Sequence, residues 1–170
     1  MSERVPPATE RELRGILDQG GLIAGNSAGA TIMGSYLVRG HPSEDNSILM
    51  HPGYEREFGY LTTTAIDQHV RARGRKNDLA EVVAAHRELP GIGVDERTAA
   101  IVQQNPMRVI GAGHVFITNG AVHDGKRYYR LSAGTGFDLA DGSVLCLTVR
   151  REFHDHAPES EPHWADRPTG

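Results

Sequence analysis

Hydrophobic positions in residues 8–18 recur at helical spacing, with Leu13, Ile16 and Leu17 on one face and Thr9 placed as a cap. This pattern predicts an amphipathic helix. The spacing then changes. Leu22-Ile23-Ala24 is a short unbroken apolar run, the pattern of a buried parallel strand. Gly25-Asn26-Ser27-Ala28-Gly29 follows at once, and Ala30-Thr31-Ile32-Met33 opens a second helical stretch expected to reach 38–40. Residues 41–57 are polar and turn-rich, a long loop for a compact domain, and such loops are often functional. Residues 60–66 are β-prone and end in Asp67-Gln68-His69. A helix is predicted over 77–86, with Leu79, Val82 and Val83 on one face.

Beyond residue 90 the texture becomes that of β-hairpins. Gly91-Ile92-Gly93-Val94 is strand-like, and short β-runs follow over 98–102, 107–110, 114–118 and 144–149. Turn signals separate them: Asn105-Pro106, Gly111-Ala112-Gly113, Asn119-Gly120, Asp124-Gly125 and Asp141-Gly142. The pattern is read as one α/β domain over 1–151. From Glu152 the chain is polar and Pro-rich, and 152–170 are expected to be a disordered tail. His154 and His156 belong to that tail, without an ordered scaffold to make them metal ligands.

Composition narrows the function classes. A net charge of -4 with a pI near 6.1 argues against a general nucleic-acid binder. No apolar run is long enough to span a membrane, and the first residues lack the apolar core of a signal peptide. The single cysteine, Cys146, has no partner for a disulfide or a metal site and is read as core packing. A cytoplasmic location is the default expectation.

The candidate chemistry lies in the glycine-rich stretch. Gly-x-Ser-x-Gly between a strand and a helix is the setting of a nucleophile elbow, in which a strained turn presents the serine at its apex. Gly25, Ala28 and Gly29 are expected to be small because neighbouring backbone presses on the turn. A helix starting behind Ser27 directs free N–H groups toward an oxyanion, with Ala28 supplying one of them. A serine nucleophile needs a base, and the base needs an acid to orient it. Of nine histidines, His69 is best placed, at the end of a β-run. Sequence position favours Asp45 as the acid, with Glu44, Asp67 and Glu96 as alternatives. Arg71, Arg73, Arg75 and Lys76 form a cationic cluster beside the base, suited to a carboxylate-rich substrate.

These motifs, in this order, resemble the cyanophycinase and dipeptidase E group of serine peptidases, peptidase family S51. The resemblance rests on residues 25–30, Asp67-Gln68-His69 with Arg73-Gly74-Arg75, residues 91–96 with Thr98-Ala99, and residues 109–115, and it covers roughly 10–150. It implies a class I glutamine amidotransferase-like (flavodoxin-like) α/β sheet with helices on both faces, followed by C-terminal β-hairpins. It implies Ser27 as nucleophile, His69 as base and Asp45, or else Glu44, as acid. It further implies Asp67, Gln68, Arg73 and Arg75 as contacts to a substrate with an aspartyl backbone carrying arginine. The implied reaction is hydrolysis of an aspartyl or isoaspartyl (β-Asp-Arg-like) peptide bond, and it needs no metal or organic cofactor.

Two features depart from the group. Lys76-Asn77-Asp78 stands where cyanophycinases carry a further arginine. The group also has several βα units before the elbow, whereas one helix precedes it here, so the fold is expected to be truncated at the N-terminal side. The expected partner is therefore a second copy, or another chain supplying the missing half. The alternative reading is a catalytically impaired family member that acts as a binding or assembly module.

Overall fold

A computed structural model describes residues 7–39 and 56–146. The loop expected over 41–57 lies outside the described residues save for its last two positions, and the expected tail over 152–170 lies outside them altogether.

The first helix, α1 (Pro7–Asp18), begins with a proline, whose missing N–H costs nothing at that position. Thr9 therefore lies inside the helix rather than capping it. A four-residue helix, α2 (Ala28–Thr31), follows Ser27. It stops well short of 38–40 because the chain beyond it joins the sheet region. Tyr36 bridges to Ala65 and to Arg56, and Gly34 passes so close to Thr64 that a Cβ would stand 2.6 Å from its carbonyl oxygen.

Two four-stranded sheets carry the rest. In the first, β1 (Ala65–Gln68) pairs in parallel with β2 (Gly91–Val94), and α3 (Leu79–Ala85) lies between them in the chain. In the chain's second half come β3 (Thr98–Val102), β4 (Pro106–Gly111), β5 (His114–Thr118), β6 (Tyr129–Ser132), β7 (Thr135–Asp138) and β8 (Val144–Cys146). The first sheet has the order β1-β2-β5-β6, and β2-β5 and β5-β6 are antiparallel. The second sheet has the order β3-β4-β7-β8 and is antiparallel throughout.

The main core lies between the sheets. Ile66, Ile92, Val115, Ile117 and Leu131 from the first meet Met107, Val109 and Phe137 from the second. The other face of the first sheet packs on α3, where Leu79 and Val82 join Tyr36, Val38, Ala65 and Leu89. Among the described residues, then, the sheet has helix α3 on one face and a second β-sheet on the other. Among the described residues the helices expected on both faces are reduced to α3 and the short α2, which contacts β1. The alternation of enclosed and exposed residues along β4 explains the second sheet, since Met107 and Val109 turn inward while Arg108 and Ile110 face out.

The predicted strand before Ser27 is the other difference. Residues 21–26 form no strand, residues 22–26 make no backbone hydrogen bond among the described residues, and Leu22 is 78% exposed. Helix α1 is nearly as isolated, touching no other named element. Its tether is Arg14, which donates to the Phe58 carbonyl at 2.7 Å and lies over the Tyr60 ring.

Candidate active site

The elbow is a tightly folded turn. Ser27 has φ 49 and ψ -125, a left-handed backbone that costs a non-glycine residue about 1–3 kcal/mol. It persists because Gly25 permits it: a Cβ there would stand 2.2 Å from the Gly29 carbonyl oxygen and 2.9 Å from Met33. Gly29, expected to be small for the same reason, has no described atom within 4 Å of where its Cβ would be. Behind Ser27, α2 is too short to build a substantial dipole. What it offers locally is the Ala28 N–H, which has no hydrogen-bond partner among the described residues.

His69 follows the C-terminal end of β1, and it too has positive φ, at 56. The first turn after it closes on itself through Arg73 N–H to His69 O at 3.0 Å and Arg75 N–H to Val70 O at 2.7 Å. This turn holds the ring toward the elbow, placing His69 Nε2 3.3 Å from Ser27 Oγ. On the far side of the ring, Nδ1 lies 2.9 Å from Glu96 Oε1. Glu96 comes from the residues just after β2, and the in-register parallel pairing of Gln68 with Val94 brings the two strand ends level. Its own backbone N–H, together with His69 and Arg71, holds the Glu96 carboxyl below the usual carboxylate range. The residue after it, Arg97, is left-handed with φ 53.

Serine, histidine and carboxylate thus stand in one line, from three segments far apart in the chain. Asp45, the acid favoured by sequence position, lies outside the described residues, as does Glu44. The Nδ1 position assigned to it is held by Glu96.

Asp67 departs most from expectation. Its side chain is fully enclosed, with Oδ1 accepting from Arg39 Nε at 2.8 Å and Oδ2 from Arg39 Nη2 at 2.7 Å. The same Arg39 nitrogen donates to Asp78 at 2.9 Å. Burial works against the Arg39 charge, but the bonds to Asp67 and Asp78 outweigh it and raise its pKa. Arg75 is drawn into the same cluster, nearly buried and 3.8 Å from Asp67, and burial beside Arg39 lowers its pKa. Asp67 and Arg75 thus lie in a buried cluster that ties the post-elbow segment to β1 and to the start of α3. Arg73 is exposed, as expected of a substrate contact, and Gln68 is partly enclosed with its Oε1 unpartnered among the described residues. Arg39 carried no sequence signal, being a lone cation after an apolar pair.

Comparison with known proteins agrees with these motifs. The profile of peptidase family S51 matches residues 8–110, more than half of the chain. The chain belongs to peptidase family S51. It is 34% identical over 98 residues to the cyanophycinase of Trichormus variabilis, a match covering 57% of this chain and 33% of that protein. To the cyanophycinase of Geminocystis herdmanii it is 33% identical over 99 residues, covering 58% of this chain and 36% of the relative. The match therefore spans about a third of each relative's length. Among solved structures, a peptidase from an acI-B1 Actinobacterium superposes with a TM-score of 0.53 at 22% identity, covering 74% of this chain and 50% of that one. That likeness speaks to the fold alone. Among the described residues of this S51 member, no helix is long and apolar enough to cross a membrane. No group of three or more His, Cys, Asp and Glu side chains there could hold a metal ion.

Proposed function

We propose that this S51 member is a serine-type peptidase in which Ser27, His69 and Glu96 act in sequence on a peptide bond. The observation that carries the reading is the line of contacts from Ser27 Oγ to His69 Nε2 and from His69 Nδ1 to Glu96, with the serine on a left-handed turn. Ser27 Oγ attacks the scissile carbonyl carbon while His69 Nε2 takes its proton. Glu96 accepts from Nδ1–H, fixing the tautomer and stabilising the imidazolium that forms. The tetrahedral oxyanion takes the Ala28 N–H. As the intermediate collapses, His69 returns the proton to the leaving amine, and water repeats the sequence on the acyl-serine.

The substrate class in this proposal is an aspartyl or isoaspartyl peptide of the β-Asp-Arg kind. Support comes from the cyanophycinase relatives and from the exposed Arg71 and Arg73 beside the base, with Gln68 a further contact. The β1-α3-β2 unit, with both strands ending at the site, supports a class I glutamine amidotransferase-like organisation of the complete family fold. The proposal places the protein in the cytoplasm, in keeping with its lone cysteine.

The test is labelling with a fluorescent phosphonate specific for activated serines, followed by hydrolysis of β-aspartyl-arginine. Wild type labels and Ser27→Ala does not. Equal labelling of both proteins removes Ser27 as nucleophile.

A second reading has its own support. Among the described residues, helix α1 packs on no other named element, and the apolar segment before Ser27 makes no backbone pairing, with Leu22 exposed. We propose that a second copy or a partner chain covers this face, and that without it the protein is a binding or assembly module of low activity. Light scattering across a dilution series, with labelling measured in parallel, separates the two. A monomer that labels at full rate excludes the need for a partner.

A further inference from the structure

Next to the acid of the proposed triad stands a second carboxylate, and nothing in the chemistry above uses it. Asp95 is fully buried. Each of its oxygens takes one backbone N–H: Oδ1 accepts from Arg71 N at 3.0 Å, and Oδ2 accepts from His114 N at 3.1 Å. The Arg71 Nε and His114 Nδ1 atoms stand 3.5 Å from Oδ2, so cationic and polar groups surround a charge that has left water. In return the Asp95 N–H donates to the His114 carbonyl at 3.1 Å.

Arg71 lies two residues after His69, and Asp95 is the residue before Glu96. One side chain thus staples the turn that carries the base to the strand end that carries the acid. A hydroxyl fixes the other side of Glu96. Thr98 Oγ1 donates to the Glu96 carbonyl at 3.1 Å and accepts from Gly113 N at 2.9 Å. Gly113 closes the space: a Cβ there would stand 2.6 Å from Thr98 Oγ1 and 2.7 Å from Asp95 Cβ.

We infer that Asp95, with Thr98, is a positioning residue that sets the His69–Glu96 contact by joining the two segments bearing them to the start of β5. The inference rests on the peptidase reading above. Its physical basis is that a 2.9 Å contact between partly exposed side chains is only as well defined as the backbones beneath them. An amide at position 95 cannot reproduce the clamp, because its NH₂ would face one of the two N–H donors.

The experiment is a double-mutant cycle on the rate of phosphonate labelling, using Asp95→Asn, Glu96→Gln and both together, with Ser27→Ala as reference. Acting through Glu96, Asp95→Asn slows labelling about tenfold or more in the wild-type background and by less than about twofold when Glu96 is already Gln. Equal slowing in both backgrounds shows a general structural role and overturns the inference, as does no slowing at all. Labelling that survives Ser27→Ala overturns the peptidase reading, and the positioning role falls with it. If Asp95→Asn does not fold, Thr98→Val takes its place in the same cycle. That variant keeps the side-chain shape and removes the hydroxyl, and the same two outcomes decide.

Discussion

Arg39 grips Asp67 with two nitrogens, at 2.8 and 2.7 Å, in an environment where the carboxylate has no contact with solvent. Arg39 follows the elbow and Asp67 lies two residues before His69, so this pair sets how the serine's segment lies against the histidine's. Asp67 is the buried carboxylate that Arg39 and Arg75 both face, and breaking a buried pair costs about 3–5 kcal/mol. Asp67→Ala should therefore lower stability by that order in chemical denaturation. Arg39→Met with Asp67→Leu should recover much of the loss, with Arg75 and Asp78 left to compensate each other.

Glu96→Gln should reduce phosphonate labelling by roughly 10³- to 10⁴-fold, the scale seen when the acid of a triad is made an amide. Asp45→Asn should leave the rate close to wild type. Side-by-side labelling of the two variants checks the assignment, and the reverse order would give the role to Asp45.

The elbow has its own sharp test in Gly25→Ala. The added methyl would need the space held by the Gly29 carbonyl oxygen, 2.2 Å away, which is backbone and cannot step aside. Overpacking of this kind costs about 1–3 kcal/mol. Labelling should disappear while circular dichroism of the β-sheets is retained. Gly29→Ala, with no described atom within 4 Å of its Cβ position, should be far milder.

Glu57 gives the pH dependence a direction. Loss of water around its side chain raises the carboxyl from 4.5 to about 7, so folding favours the protonated form. A group raised in this way contributes most below 4.5, and that contribution is lost as pH climbs from there through about 7. Melting curves of wild type and Glu57→Gln should coincide near pH 4.5 and diverge by pH 8, the variant melting higher by a few degrees. For a chain of this size roughly 2–4 °C corresponds to 1 kcal/mol. Curves that stay parallel across that range would place Glu57 in water.

Much of this was written in local pattern. The run Gly91–Val94 reads as a strand because three of its four residues are enclosed, and α3 reads as a helix because Leu79, Val82 and Val83 share a face. Strands β6 and β7 were not legible, because each is short, Tyr129–Ser132 and Thr135–Asp138, and mixes polar residues with few apolar ones. The second sheet they help to build was therefore hidden, and with it the layer that packs across the core from the first sheet. At the site, Ser27 and His69 stood out because a strained turn and a strand end both leave marks in sequence. Glu96 was one candidate of four. What brings it beside His69 is the register of β1 against β2, which pairs residues 26 positions apart. Asp67 misled for a related reason: its proximity to His69 in sequence says nothing about Arg39, 28 residues earlier, which takes up both of its oxygens.

His69 and Glu96 follow the ends of two paired strands, while Ser27 follows a segment with no ladder among the described residues. These two supports belong to different tiers of local stability. On warming, the serine's arm is the part free to drift first, and the His69–Glu96 pair outlasts it. In the proposed peptidase, loss of labelling on warming should therefore precede loss of the sheets, and cooling from that early stage should restore it.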